Sequence, residues 1–130
     1  MSLQIYSSLS RRKEPFQPIN PEKVGMYVCG PTVYDDCHVG HVVGPMVFDA
    51  ISRWLKAKGY GVNFVNNITD IDDKIIQRSQ RTGEAWEEIT KRYTQQYFDI
   101  LTALNVTEVD AHPKCSDHIP EMITYIDDLI

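Results

Sequence analysis

No apolar run in this chain approaches the roughly 18 residues that a bilayer-spanning helix requires. An export signal is missing too, since the stretch from Met1 to Phe16 carries its charge after a short mixed segment, the reverse of the secretory order. The resulting expectation is a soluble cytoplasmic protein. There is no basic surplus: 13 Lys and Arg stand against 18 Asp and Glu, for a net charge of −5. That balance argues against a chain that binds nucleic acid non-specifically by itself, because phosphate neutralisation needs clustered cations. The one basic run is Arg11-Arg12-Lys13. Cysteine is scarce and odd in number, with Cys29, Cys37 and Cys115. A disulfide framework is therefore disfavoured, which leaves metal, catalytic or buried roles. Repeats, low-complexity tracts and linkers are also lacking. What remains is 130 residues, 42% hydrophobic and 24% charged, enough for one domain with a single core.

The order of elements is legible. A proline-rich loop from Pro15 to Pro21 precedes a short β-branched and aromatic strand, Val24 to Cys29, which Gly30-Pro31 stops. A helix is expected over about Pro45 to Lys58, with Val47, Phe48, Ile51, Trp54 and Leu55 on one face and Gly59 closing it. Val62 to Asn66 reads as a second strand. Strand, glycine-containing loop, helix and strand make a βαβ unit, whose strands pair in parallel. The fold class is thus α/β, a parallel-sheet unit over about residues 1–70 followed by a helical segment over about 70–130. That segment starts with a helix from Asp70 to Arg81, capped by Thr69 with Asp72 at its third position. Glu84 to Leu104 follows, with a core stripe of Trp86, Ile89, Tyr93, Tyr97, Ile100 and Leu104. Asp117 to Ile130 is again amphipathic and stops without a cap, as though the chain were cut within an element. His112 and His118 are expected in a solvent-facing loop, and Cys37 and Cys115 are expected to be structural.

The chemistry concentrates in Cys29-Gly30-Pro31-Thr32-Val33-Tyr34-Asp35-Asp36-Cys37-His38-Val39-Gly40-His41. Ligands of open α/β sheets bind beyond the carboxyl ends of the strands, where helix N-termini favour phosphate. Cys29 ends the first strand, and His38 and His41 lie just ahead of the helix, spaced to point the same way. Gly40 between them leaves room for a flat ligand. Two imidazoles so placed can donate to oxygens on which charge develops during phosphoryl displacement. Asp70, Asp72 and Asp73 lack the spacing and the later glutamate of an EF-hand loop.

His38-Val39-Gly40-His41 resembles the HIGH motif of class I aminoacyl-tRNA synthetases. The longer run from Met26 to His41 (MYVCGPTVYDDCHVGH), followed after a helix by Asn63 to Arg78 (NFVNNITDIDDKIIQR), resembles the paired N-terminal motifs of the cysteinyl-tRNA synthetase family. The resemblance covers essentially the whole chain. It implies a Rossmann-like nucleotide-binding domain, of which this is the N-terminal part. It further implies that Cys29 is a zinc ligand, that Gly30 and Thr69 contact the substrate L-cysteine, and that His38, Gly40 and His41 bind ATP, with both histidines catalytic. ATP would be used with Mg²⁺, and the acceptor would be tRNA(Cys). Zinc suits a thiolate substrate because it takes sulfur readily. The family's other zinc ligands, its KMSKS motif and its anticodon-binding region would lie beyond residue 130, so this chain alone is expected to be inactive.

Where the family continues its histidine motif with a small residue, an arginine and a hydroxyl residue, this chain has Val42-Val43-Gly44-Pro45. Pro45 costs roughly 3 kcal/mol inside a helix, which predicts a helix start near Val43 or Gly44, or a kink. Three rival readings stand beside the first. They are a mycothiol-pathway ligase joining cysteine to an amino sugar, a non-catalytic nucleotide-binding module, and a self-contained zinc site of Cys29, Cys37, His38 and His41.

Overall fold

The computed structural model describes residues 3–130. Met1 and Ser2, which open the stretch read above as unlike an export signal, lie outside the described residues. Among the described residues nine elements follow in order: β1 (Gln4–Ser7), β2 (Arg12–Pro15), β3 (Lys23–Val28), α1 (Val39–Ala57), β4 (Gly61–Asn66), α2 (Asp73–Thr82), α3 (Trp86–Ala103), a 3-10 turn (Ser116–His118) and α4 (Ile119–Leu129). The fold is α/β, as expected. Among the described residues no helix is long and apolar enough to cross a membrane.

β3 and β4 pair in parallel from Lys23↔Gly61 to Val28↔Asn66, with α1 as the crossover. A parallel bridge between Thr32 and Thr69 prolongs the contact past both strand ends. Residues 110–115, expected as loop, instead lie parallel along the far side of β4. Val65 bridges Ala111 and Ile68 bridges Lys114, with Asn66 N–H donating to Ala111 O and Ile68 N–H to Pro113 O. His112 is accordingly half-buried rather than solvent-facing; its Nδ1 lies 2.8 Å from Asn66 O and its ring packs against Phe98. His118 is exposed, as expected. The β1–β2 hairpin, with Arg11 at a left-handed φ of 57°, was not foreseen.

The main core lies between the loop after β3, the end of β4, α1 and α3. It consists of Val33, Val42, Ile68, Ile89, Tyr93, Tyr97 and Leu101. The stripe expected on α3 is therefore buried through Ile89, Tyr93 and Tyr97, while Trp86 and Leu104 at its ends are exposed. Burying one such side chain contributes about 1.5–3 kcal/mol.

Helix α1 departs from expectation twice. It begins at Val39, not near Val43 or Gly44, and Pro45 is buried inside it. The helix N-terminus is fixed upstream by His38, and Pro45 takes a place on the packed face with Val42, Asp49, Ser52 and Leu55. Val47 and Trp54, expected inside, are exposed. Asp49 turns the helix this way by taking both Thr107 N–H and Glu108 N–H at 2.8 Å on one oxygen and Arg53 Nε at 2.7 Å on the other. Burial alone would push its carboxyl upward, but Arg53 and the two amides outweigh that and hold it below the usual carboxylate range.

Helix α2 starts at Asp73, with Asp72 rather than Thr69 as its cap. The Asp72 carboxylate accepts Lys74 N–H at 2.9 Å, and Gly83 closes the helix at φ 74°. Thr69 is held by the strand-end bridge, and Asp70 is buried, accepting Ser116 N–H at 3.0 Å and Ser116 Oγ–H at 2.5 Å.

Candidate active site

The carboxyl ends of β3 and β4 lie side by side, and the loop from Cys29 to His38 climbs from that edge to the start of α1. His38 itself caps the helix. Its Nδ1 accepts Gly40 N–H at 3.1 Å, while His41 Nδ1 accepts His38 N–H at 3.1 Å. Together these bonds form a reciprocal cap in which imidazoles replace the usual hydroxyl and carboxylate. The rings stack with centroids 3.9 Å apart and planes 27° from parallel. Each Nδ1 is an acceptor, so each neutral ring carries its proton on Nε2. Burial, helped by the neighbouring His38, pushes His41 below the ordinary histidine range and favours that neutral form. The outcome is a stacked pair of Nε2–H donors at a helix N-terminus, the positive end of its dipole.

Glycine at 40 has a local cause. A Cβ there would lie 2.9 Å from His38 Cε1, so the missing side chain makes room for the capping ring. Gly30 is required just as directly, because a Cβ would lie 1.5 Å from Asn67 O.

Asn67 holds the strand-end edge together, and sequence reasoning gave it no role. Its Oδ1 accepts Gly30 N–H at 2.8 Å and Tyr27 Oη–H at 2.9 Å, and its Nδ2 donates to Thr69 Oγ1 at 3.2 Å. Gly30 and Thr69, the two positions implied for the amino acid, are thereby tied to one side chain. Cys29 sits beside them, exposed at the end of β3 and not sealed in the interior. The loop beyond is fastened from α3 and α2. Gln96 accepts Cys37 N–H at 2.9 Å and donates to Asp36 at 3.1 Å, and Arg78 pairs with Asp35 at 2.8 Å. Asn67 lay within a quoted motif and could have been noticed; Gln96 had no signal in the sequence.

Among the described residues no three His, Cys, Asp or Glu side chains gather where they could hold a metal ion. The self-contained zinc site of Cys29, Cys37, His38 and His41 is therefore not assembled. The His38 and His41 Nδ1 atoms are committed to backbone N–H groups, and burial pushes the half-buried Cys37 thiol up, toward its protonated form. Cys29 offers a single thiol, and one ligand does not make a tetrahedral site.

A family model described as tRNA synthetases class I (C) catalytic domain matches residues 15–130. The chain belongs to this family. Within the synthetase family, it is 48% identical over 128 residues to a cysteine–tRNA ligase of Thermodesulfovibrio yellowstonii, covering 98% of this chain and 26% of that protein. It is 52% identical over 126 residues to a cysteine–tRNA ligase of Neisseria meningitidis serogroup B, covering 97% and 27%. The chain thus spans about a quarter of the length of these curated relatives. A solved Mycobacterium tuberculosis methionyl-tRNA synthetase in complex with methionyl-adenylate matches with a TM-score of 0.63 at 24% identity, over 72% of this chain and 19% of that one. At that identity the likeness speaks for the synthetase fold alone.

Proposed function

We propose that this chain is the N-terminal part of the catalytic domain of a cytoplasmic cysteine–tRNA ligase, with a βαβ half over about residues 1–70 and a helical segment over about 70–130. In the first step a carboxylate oxygen of L-cysteine attacks the α-phosphorus of ATP. Pyrophosphate leaves, and cysteinyl-adenylate remains. In the second, a terminal ribose hydroxyl of tRNA(Cys) attacks the cysteinyl carbonyl, releasing AMP. The observation that carries this reading is the stacked His38–His41 pair, which presents two Nε2–H donors beside a strand-end edge. Such donors stabilise charge that builds on phosphate oxygens as the bond to pyrophosphate breaks. The role proposed for Gly40 is to let the His38 ring fold into place over the helix end.

Gly30 and Thr69, fixed by Asn67, are proposed to receive the amino acid, with the Cys29 thiol alongside. Zinc bound there would grip the substrate thiolate in preference to a serine hydroxyl. Cys29 would supply one ligand, and the others, like the remaining ATP contacts and the Mg²⁺ site, would come from outside these residues.

The test is cysteine-dependent exchange of pyrophosphate into ATP by the full-length gene product. His38→Asn and His41→Asn should each lower the rate about 10²–10³-fold. Exchange at the wild-type rate in both variants would overturn the proposed role of the pair. The 130-residue chain by itself should show no exchange.

A further inference from the structure

The loop that carries Cys29 and the histidines also walls a second recess. Tyr34 from this loop and Lys74, Gln77, Arg78 and Arg81 from α2 line a cavity of about 240 Å³. The four α2 residues recur at steps of three and four and so share one helix face. In sequence they are too dispersed to read as a basic run; only the helix gathers them. Arg78 is committed internally, pairing with Asp35 at 2.8 Å and donating to Tyr93 Oη at 2.6 Å. Lys74 and Arg81 form no ion pair among the described residues. The Lys74 ammonium lies 5.6 Å from the centre of the Tyr34 ring, a cation–π contact that steadies it at the rim. The Asp36 backbone N–H, and after it Arg78 and Arg81, hold the Asp35 carboxyl below the usual carboxylate range, so both guanidiniums lie near this carboxylate.

We propose that this recess binds a backbone phosphate of single-stranded RNA, with Lys74 and Arg81 as the phosphate contacts. The inference rests on the reading as a cysteine–tRNA ligase and adds to it a place where the RNA is held. Two cations without an ion pair among the described residues, beside an aromatic wall, suit a strand tracked by its phosphates. A recess of about 240 Å³ has room for one phosphate with its sugar. Its position completes the case. Tyr34 belongs to the loop that leads into His38, so the recess and the proposed site of acyl transfer share one loop.

The experiment titrates the full-length protein with a fluorescein-labelled single-stranded RNA ending in CCA, followed by anisotropy across a salt series. Lys74→Gln combined with Arg81→Gln should weaken binding about tenfold or more and flatten the slope of log affinity against log salt by about 1.4, about 0.7 per lost contact. Arg12→Gln with Lys13→Gln removes the same charge from the β1–β2 hairpin and should leave the slope unchanged. Both lysines and both arginines in these pairs are exposed, and equal melting temperatures will confirm that each variant folds. Equal losses in the two double variants would reduce the effect to net charge and overturn the proposal. So would an unchanged RNA slope with ATP binding weakened instead, which would assign the recess to nucleotide phosphate. Absence of cysteine-dependent exchange in the wild-type protein would sink the ligase reading separately, while the RNA titration still reports on the recess.

Discussion

Asn66 and Asn67 are neighbours in sequence and serve opposite regions of the molecule. Asn66 is fully buried; its Nδ2 donates to Val28 O at 3.0 Å and its Oδ1 accepts Tyr97 Oη–H at 2.7 Å, locking α3 to the sheet. Asn67 turns the other way, toward the open strand-end edge, and binds Tyr27, Gly30 and Thr69. The two side chains make similar bonds. Both are buried, but Asn66 is completely sealed while Asn67 keeps 8% of its surface exposed, so water can replace a lost partner more readily at Asn67. One side chain of the pair holds the fold together and the other shapes the site.

The largest expected effect breaks the first member of that comparison. Asn66→Ala leaves Val28 O and Tyr97 Oη without partners in a dry interior, and should lower unfolding free energy by about 3 kcal/mol in urea titration. Asn67→Ala should cost about 1 kcal/mol by the same measurement. A reversed order would end the distinction between core and edge. Between those two in size is Asp49→Ala, which frees Thr107 N–H, Glu108 N–H and Arg53 Nε together and should cost about 2 kcal/mol. Smaller again is a pH effect on the core side. Burial pushes His112 below its ordinary range, although its bond to Asn66 O works the other way. The unfolded chain then binds the proton more readily, so this stability is present above about pH 6.5 and is lost as pH falls below it. Thermal melts at about pH 7.5 and 5.5 should show the drop, and His112→Gln should reduce it. Some slope should persist, because His41 is shifted in the same direction. Smallest of all is Ile126→Ser on α4, a helix with no buried residue, where the change should stay within about 0.5 kcal/mol. A larger loss would mean that the exposed face of α4 is covered in solution.

The elements legible in the sequence were those with their own local signal. β3, β4 and α3 declared themselves through β-branched runs and a stripe at helical spacing. The histidine segment declared itself through residue type and position. What stayed hidden depended on partners far along the chain. The buried face of α1 is set by Asp49, whose backbone partner Thr107 is 58 residues away. The extended run at residues 110–115, with a proline inside it, gained its form only by lying along β4. The start of α1 was missed for a different reason. Histidine is not among the usual cap residues, and the cost of Pro45 suggested a later beginning.

The same imidazole that is proposed to meet phosphate also terminates a helix, and this complicates how replacements at His38 should be interpreted. Alanine there would remove a donor and uncap α1 at once, loosening the first turn that carries His41 by about 1 kcal/mol. Asparagine, a strong cap, keeps the turn closed and removes only the ring. The gap between those two substitutions separates architecture from chemistry at this position.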